Sequence, residues 1–102
     1  MDTKSTILDI AMNLNRIGNW AADDYNGKKE RIKTFLGNTA VYIQSIEHSP
    51  LPPSFKSTFN NFKKQYTSLQ KEGINGPKNP IFWAEDMMTW GNILTHRSKL
   101  IV

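Results

Sequence analysis

Cysteine is missing from all 102 residues of this chain, which excludes disulfides, thiolate metal sites and a cysteine nucleophile together. Such a chain suits a reducing compartment, so the expectation is a cytoplasmic protein. Long apolar runs are missing as well. No stretch approaches the roughly 18 apolar residues of a membrane span. The first candidate for a signal-peptide core, Ile7 to Leu14, is broken by Asp9 and Asn13. These absences predict a soluble protein with no membrane partner. No strand pattern, internal repeat or low-complexity tract is visible either; asparagine is abundant but scattered.

The residue sets of standard catalysis are equally thin. A di-iron bundle needs Glu-x-x-His pairs projecting inward, yet the residues three before His48 and His96 are Ser45 and Ile93. Glu85 and Asp86 are adjacent, so a helix points them in different directions. Their place early in a helix is one where negative charge is favourable in any case. No serine has a visible base and orienting acid, and no phosphate-cradling glycine loop occurs. The expectation is a non-enzymatic protein with no catalytic residue, metal ligand, cofactor or small-molecule substrate.

What the chain does have is helical rhythm. Ile7, Ile10, Ala11, Leu14, Ile17, Ala21 and Tyr25 recur every three or four positions, and Gly27 follows as a stop signal. Ile32, Phe35, Leu36, Thr39, Tyr42, Ile43 and Ile46 keep the same spacing until Ser49-Pro50-Leu51-Pro52-Pro53 breaks it. Phe55, Phe59, Phe62, Tyr66 and Leu69 form a four-three-four-three seam ended by Gly73. Asn79-Pro80 then restarts a helix, with Asn as cap and Pro at the first helical position. The spacing predicts helices over about 5–26, 28–48, 53–72 and 80–100. Short connections return each helix beside its predecessor, giving an all-α, antiparallel up-down-up-down four-helix bundle. At this length the expectation is a single domain spanning residues 1–102.

The fourth helix carries more apolar surface than one bundle core requires. Trp83, Met87, Trp90, Leu94 and Ile101 form one stripe, Ala84, Met88 and Gly91 a second, and Phe82, Ile93 and Leu100 flank them. Either this helix is the most buried of the four, or its extra face meets another chain, since aromatics and Met are enriched at interface centres. Trp20 lies well off the core face of the first helix and is either wedged at a helix boundary or exposed as an anchor. The first expectation for function is an interaction module that self-associates or docks a protein partner on this face through Trp20, Phe82, Trp83, Met87, Met88, Trp90 and Ile93, with nucleic-acid binding the alternative. Two glycines, Gly18 and Gly91, fall where helices 1 and 4 would meet, and their cost in a helix interior is offset if the two helices approach closely.

Thirteen Lys and Arg against nine Asp and Glu give a net charge of +4, and the bases are grouped. Lys56, Lys63, Lys64 and Lys71 lie on the outer faces of helix 3, and Lys28, Lys29, Arg31 and Lys33 open helix 2. An antiparallel bundle sets the start of helix 2 beside the end of helix 3. Lys28, Lys29, Arg31, Lys33, Lys63, Lys64 and Lys71 therefore form a candidate nucleic-acid surface, although lysines also complement helix dipoles and keep a bundle soluble. The segment His96-Arg97-Ser98-Lys99 resembles histidine phosphotransfer domains, in which an exposed histidine with a lysine three residues on accepts a phosphoryl group. That resemblance implies a phosphoacceptor role for His96. The chain departs from the family in having Leu100 where a glycine follows the lysine, and in placing His96 near the helix end.

Overall fold

The computed structural model describes residues 2–101. Four helices, α1 (Thr3–Asp24), α2 (Lys29–Ser45), α3 (Pro53–Asn75) and α4 (Pro80–Arg97), are followed by a single 3₁₀ turn, Ser98–Leu100. The helix ends follow from local chemistry. Asp2 Oδ1 accepts a hydrogen bond from the Ser5 backbone N–H at 2.7 Å, so α1 begins two residues earlier than its apolar spacing indicates. Asn79 Oδ1 does the same for Phe82 at 3.1 Å, with Pro80 in the first turn as expected. The tail of α2 tightens: Ile46 and Glu47 bond back three residues, to Ile43 and Gln44. The helix therefore closes at Ser45 and not at His48.

Gly73 does not end α3, as its position in the sequence suggests. The helix runs through it to Asn75 and stops at Gly76, whose φ of 96° belongs to a region that side chains rarely enter. Gly73 is instead a packing residue. A Cβ there would collide with the Trp83 ring and lie 2.9 Å from Leu36 Cδ1.

The helices follow one another round a square. α1 meets α2 and α4, α3 meets α2 and α4, and among the described residues the diagonal pairs make no close backbone approach. Neighbours are antiparallel: Gly18 faces Ala84 and Met88 while Gly91 faces Asn15, Trp83 meets Leu69 while Trp90 meets Phe62, and Glu47, just past the end of α2, lies beside Lys56 and Lys63 in the first half of α3. The two seams differ in depth. α1 and α4 share the most extensive backbone approach in the molecule, and Gly18 and Gly91 both lie in it, as their sequence positions suggest. A Cβ on Gly18 would stand 3.0 Å from the Ala84 carbonyl oxygen. α3 faces its neighbours with Phe55, Phe59, Phe62 and Tyr66, all buried. Rings of that size hold helix axes apart. Successive rings contact along the helix at centroid separations of 5.9, 6.0 and 5.5 Å, and Phe62 also meets Trp90 at 5.5 Å.

Three aromatic donors cross between elements to backbone carbonyls. Tyr66 Oη donates to Leu36 O at 2.8 Å and Trp83 Nε1 to Leu69 O at 3.0 Å. Tyr25 Oη donates to Gly73 O, one of the last four carbonyls of α3 and therefore without an intrahelical partner. Burial pushes the Tyr66 phenol well above its ordinary range, and raises Tyr25 too. The folded state thus holds these protons more tightly than the unfolded chain. Their contribution to stability is complete below the unfolded phenol pKa of about 10 and drains away as pH rises beyond it. Thermal melts between about pH 8 and 11 are expected to show a falling midpoint on the alkaline side. Tyr66→Phe lowers the midpoint at neutral pH by about 1 kcal/mol of stability and flattens that fall; an alkaline slope unchanged in the variant would contradict the assignment.

The breadth of apolar surface on α4 has a geometric cause. A helix at the corner of a square bundle has two neighbours. Trp83 and Trp90 reach α3 through Leu69 O and the Phe62 ring, while Ala84 and Met88 meet Gly18 of α1. Each of the two apolar stripes therefore belongs to one neighbour. Trp83 and Met87, expected at a partner interface, are fully enclosed in the chain's own core and present no surface to another molecule. None of the described helices is long and apolar enough to cross a membrane.

Candidate nucleic-acid interface

Because aromatic rings hold α3 away from α2, the line between these helices is not closed by side chains. Three depressions follow one another along α3. The first, about 460 Å³, lies beside the α2–α3 connection and is lined by His48, Lys56, Phe59, Asn60 and Lys63 among others. The second, about 400 Å³, lies between the helices and is lined by Ala40, Gln44, Lys63, Lys64, Thr67 and Gln70 among others. The third, about 260 Å³, carries Lys71 beside Thr67 and Gln70. The first two share Glu47 and Lys63, and the last two share Thr67 and Gln70. The first two adjoin along the α2–α3 line, and the third, lined by α3 alone, extends the row toward Asn75; together they make one shallow trough along α3.

Each depression contains at least one lysine. From Lys56 to Lys63 and from Lys64 to Lys71 the spacing is two helical turns, or ~10.5 Å. The ammonium of Lys63 stands 5.6 Å over the Phe59 ring centroid, a cation–π contact that holds it at the trough. The one ion pair among the described residues joins Lys28 to Asp23, so the trough lysines are left unpaired. Charge is also partitioned between the halves of the bundle. Residues 28–75 hold eight of the thirteen bases and three of the nine acids, and the net positive charge resides entirely on that half.

The basic residues expected to form one region at the start of α2 separate into two groups. Lys28 is paired with Asp23, which lowers the Asp23 carboxyl pKa through their hydrogen bond. Arg31 stacks over the Trp20 ring at 5.1 Å, on the side of α2 that faces α1. Neither contributes to the trough. Lys33 lies two turns before Ala40 and Lys29 one further turn back, so helical spacing keeps both in line with the trough wall. Lys63, Lys64 and Lys71 line it directly.

Among the apolar candidates, Trp20 packs edge-on against Phe35 at 4.9 Å and is half-buried between α1 and α2. Met88, Trp90 and Ile93 are half-buried, and Phe82 is 65% exposed. His96 is exposed in the last turn of α4, in a shallow depression with Arg97, Lys99 and Leu100. The amide and hydroxyl residues of the trough, Gln44, Asn60, Thr67 and Gln70, were not foreseeable as a set from composition. The signal available was their spacing: Asn60, Thr67 and Gln70 share the helix 3 face that carries Lys56, Lys63 and Lys71. No protein-family model, curated protein or solved structure matches the chain.

Proposed function

We propose that this chain is a non-enzymatic, cytoplasmic nucleic-acid-binding bundle whose binding surface is the lysine-lined trough between α2 and α3. The observation that carries the reading is the row of lysines without ion-pair partners, Lys56, Lys63, Lys64 and Lys71, set in adjoining depressions along α3. Phosphates neutralised there release counterions, so affinity falls steeply with salt. The titratable groups whose pKa values move are accounted for otherwise: Asp2 caps α1, Asp23 pairs with Lys28, and Tyr25 and Tyr66 are buried phenols.

The test is fluorescence anisotropy with labelled RNA and DNA at low salt, repeated across a salt series. Lys63→Glu/Lys64→Glu is expected to weaken binding by at least tenfold at about 50 mM salt and to reduce the salt slope by about two. Neither lysine has an ion-pair partner among the described residues, and Lys63 loses only its contact over the Phe59 ring, so the thermal midpoint should fall by no more than a few degrees. Absence of binding at that salt, or binding indifferent to added salt, would overturn the reading.

A second reading, self-association through the start of α4, is favoured by one observation. Ile81 and Phe82 are 48% and 65% exposed on the first turn of α4, and Ile74 at the neighbouring end of α3 is 43% exposed. Sedimentation at micromolar concentration distinguishes the two. Self-association through this tip gives a dimer or larger species that Phe82→Ser converts to monomer, and a strictly monomeric wild-type chain eliminates it.

A further inference from the structure

The shape of the trough narrows the ligand. Proteins that read duplex DNA place a protruding element, a helix or a two-stranded ribbon, into the major groove. Here Lys63 and Lys64 line a shallow depression between two helices, with Lys56 and Lys71 in the depressions at either end of it, and no element protrudes between them. A concave basic path suits a single strand whose backbone follows it. Resting on the nucleic-acid reading above, we infer that the α2–α3 trough takes single-stranded RNA or DNA in preference to duplex, with the phosphates on the lysine row and the base edges on Gln44, Asn60, Thr67 and Gln70.

The chemistry of the walls supports this division of labour. Phe59 and Tyr66 line the trough but are only 1% and 3% exposed, too covered to serve as stacking platforms. Base contact therefore falls to the amide and hydroxyl side chains. Gln44, Asn60 and Gln70 each donate and accept hydrogen bonds, while the Thr67 hydroxyl, which donates to Lys63 O at 3.1 Å, offers an acceptor; together they match the mixed donor–acceptor edges of unpaired bases. A duplex keeps its Watson–Crick edges engaged and shows amide groups only its groove edges, which side chains set in a depression do not reach. The lysines recur as Lys56, the adjacent pair Lys63 and Lys64, and Lys71, two helical turns apart, and a polymer with a charge on every repeat can meet such a row in many registers. An acidic peptide must place carboxylates at matching positions to do the same. Glu47, at the junction of the first two depressions, is the one acid lining the path and marks where a phosphate is least welcome. The row from Lys56 to Lys71 spans fifteen residues, or ~22 Å of helix, so the bound segment is a few nucleotides long.

The experiment compares labelled single-stranded RNA and DNA oligomers of about eight nucleotides with the duplexes of the same sequences, at one salt concentration. A poly-glutamate peptide of equal charge serves as the third probe. The expected result is a single-strand affinity at least tenfold above both the duplex and the peptide. Ala40→Leu/Thr67→Leu fills the central depression without altering charge, and is expected to lower single-strand affinity about tenfold while leaving duplex affinity unchanged. Ser68→Leu, on an exposed position outside the trough, is the matched control and changes neither; its melt and that of the filled variant confirm folding. Duplex or peptide binding equal to that of the single strand overturns the inference, as does a filled variant that binds normally. If Lys63→Glu/Lys64→Glu still abolishes binding in that case, the basic face remains the site and only the trough specificity is lost. If no nucleic acid binds the wild-type chain, the underlying reading fails with it.

Discussion

Gly73→Val lowers the thermal midpoint by about 12–20 °C, corresponding to about 3 kcal/mol in a domain of this size, whereas Gly37→Ala raises it. Intrinsic helix propensity favours replacement of either glycine, by up to about 1 kcal/mol for alanine. Space decides the sign. Nothing lies within 4 Å of a Cβ built on Gly37, while one on Gly73 meets the Trp83 ring and Leu36. The indole cannot swing aside freely, because its Nε1 is bonded to Leu69 O. Displacing α3 to make room also pulls Gly73 O from the Tyr25 hydroxyl, leaving a buried donor unpaired. Melts of the two variants beside wild type check both signs, and a Gly73→Val midpoint equal to wild type would show that α3 is free to shift at no cost.

Gly18→Leu is the second large effect, about 3 kcal/mol of destabilisation by overpacking. The flexible Met88 side chain next to Gly18 can move, but the Ala84 carbonyl, 3.0 Å from a Cβ at this position, is α4 backbone. The two helices must separate to admit the side chain, and separation loosens the most extensive contact in the bundle. Denaturant unfolding gives the loss directly. A companion variant, Gly18→Leu/Met88→Ala, should recover only the part due to the methionine, so recovery of full stability would place the clash in the wrong atoms.

Much of this architecture is legible in the residues. The apolar spacing marks all four helices, and the Asn79-Pro80 restart coincides with the start of α4. Gly18 and Gly91 announce the close α1–α4 seam. Other features elude one-dimensional reading because they depend on which neighbour a residue meets. Gly73 has the same sequence signature as a terminator, and only the arrival of Trp83 from α4 makes it a packing site. The two stripes of α4 look like surplus until two neighbours at right angles claim one each. Of the candidate site, the lysines stand out by composition. The trough between them does not, because it arises from the width of Phe55, Phe59, Phe62 and Tyr66, residues that read only as core. Arg31 is assigned to the wrong side of α2 for a related reason: nothing local reveals that Trp20 lies beneath it.

The deep seam between α1 and α4 sets an order of events during synthesis. Its two halves are the first and the last helices described, so the contacts that join them close the longest loops in the chain and raise its contact order above that of a bundle built from adjacent hairpins. While the ribosome is still translating, α1 has only α2 beside it, and Ile7, Ala11 and Gly18 wait for a surface that emerges several seconds later at ordinary elongation rates. Until α4 has left the ribosome, the nascent chain therefore carries its best-fitting groove vacant.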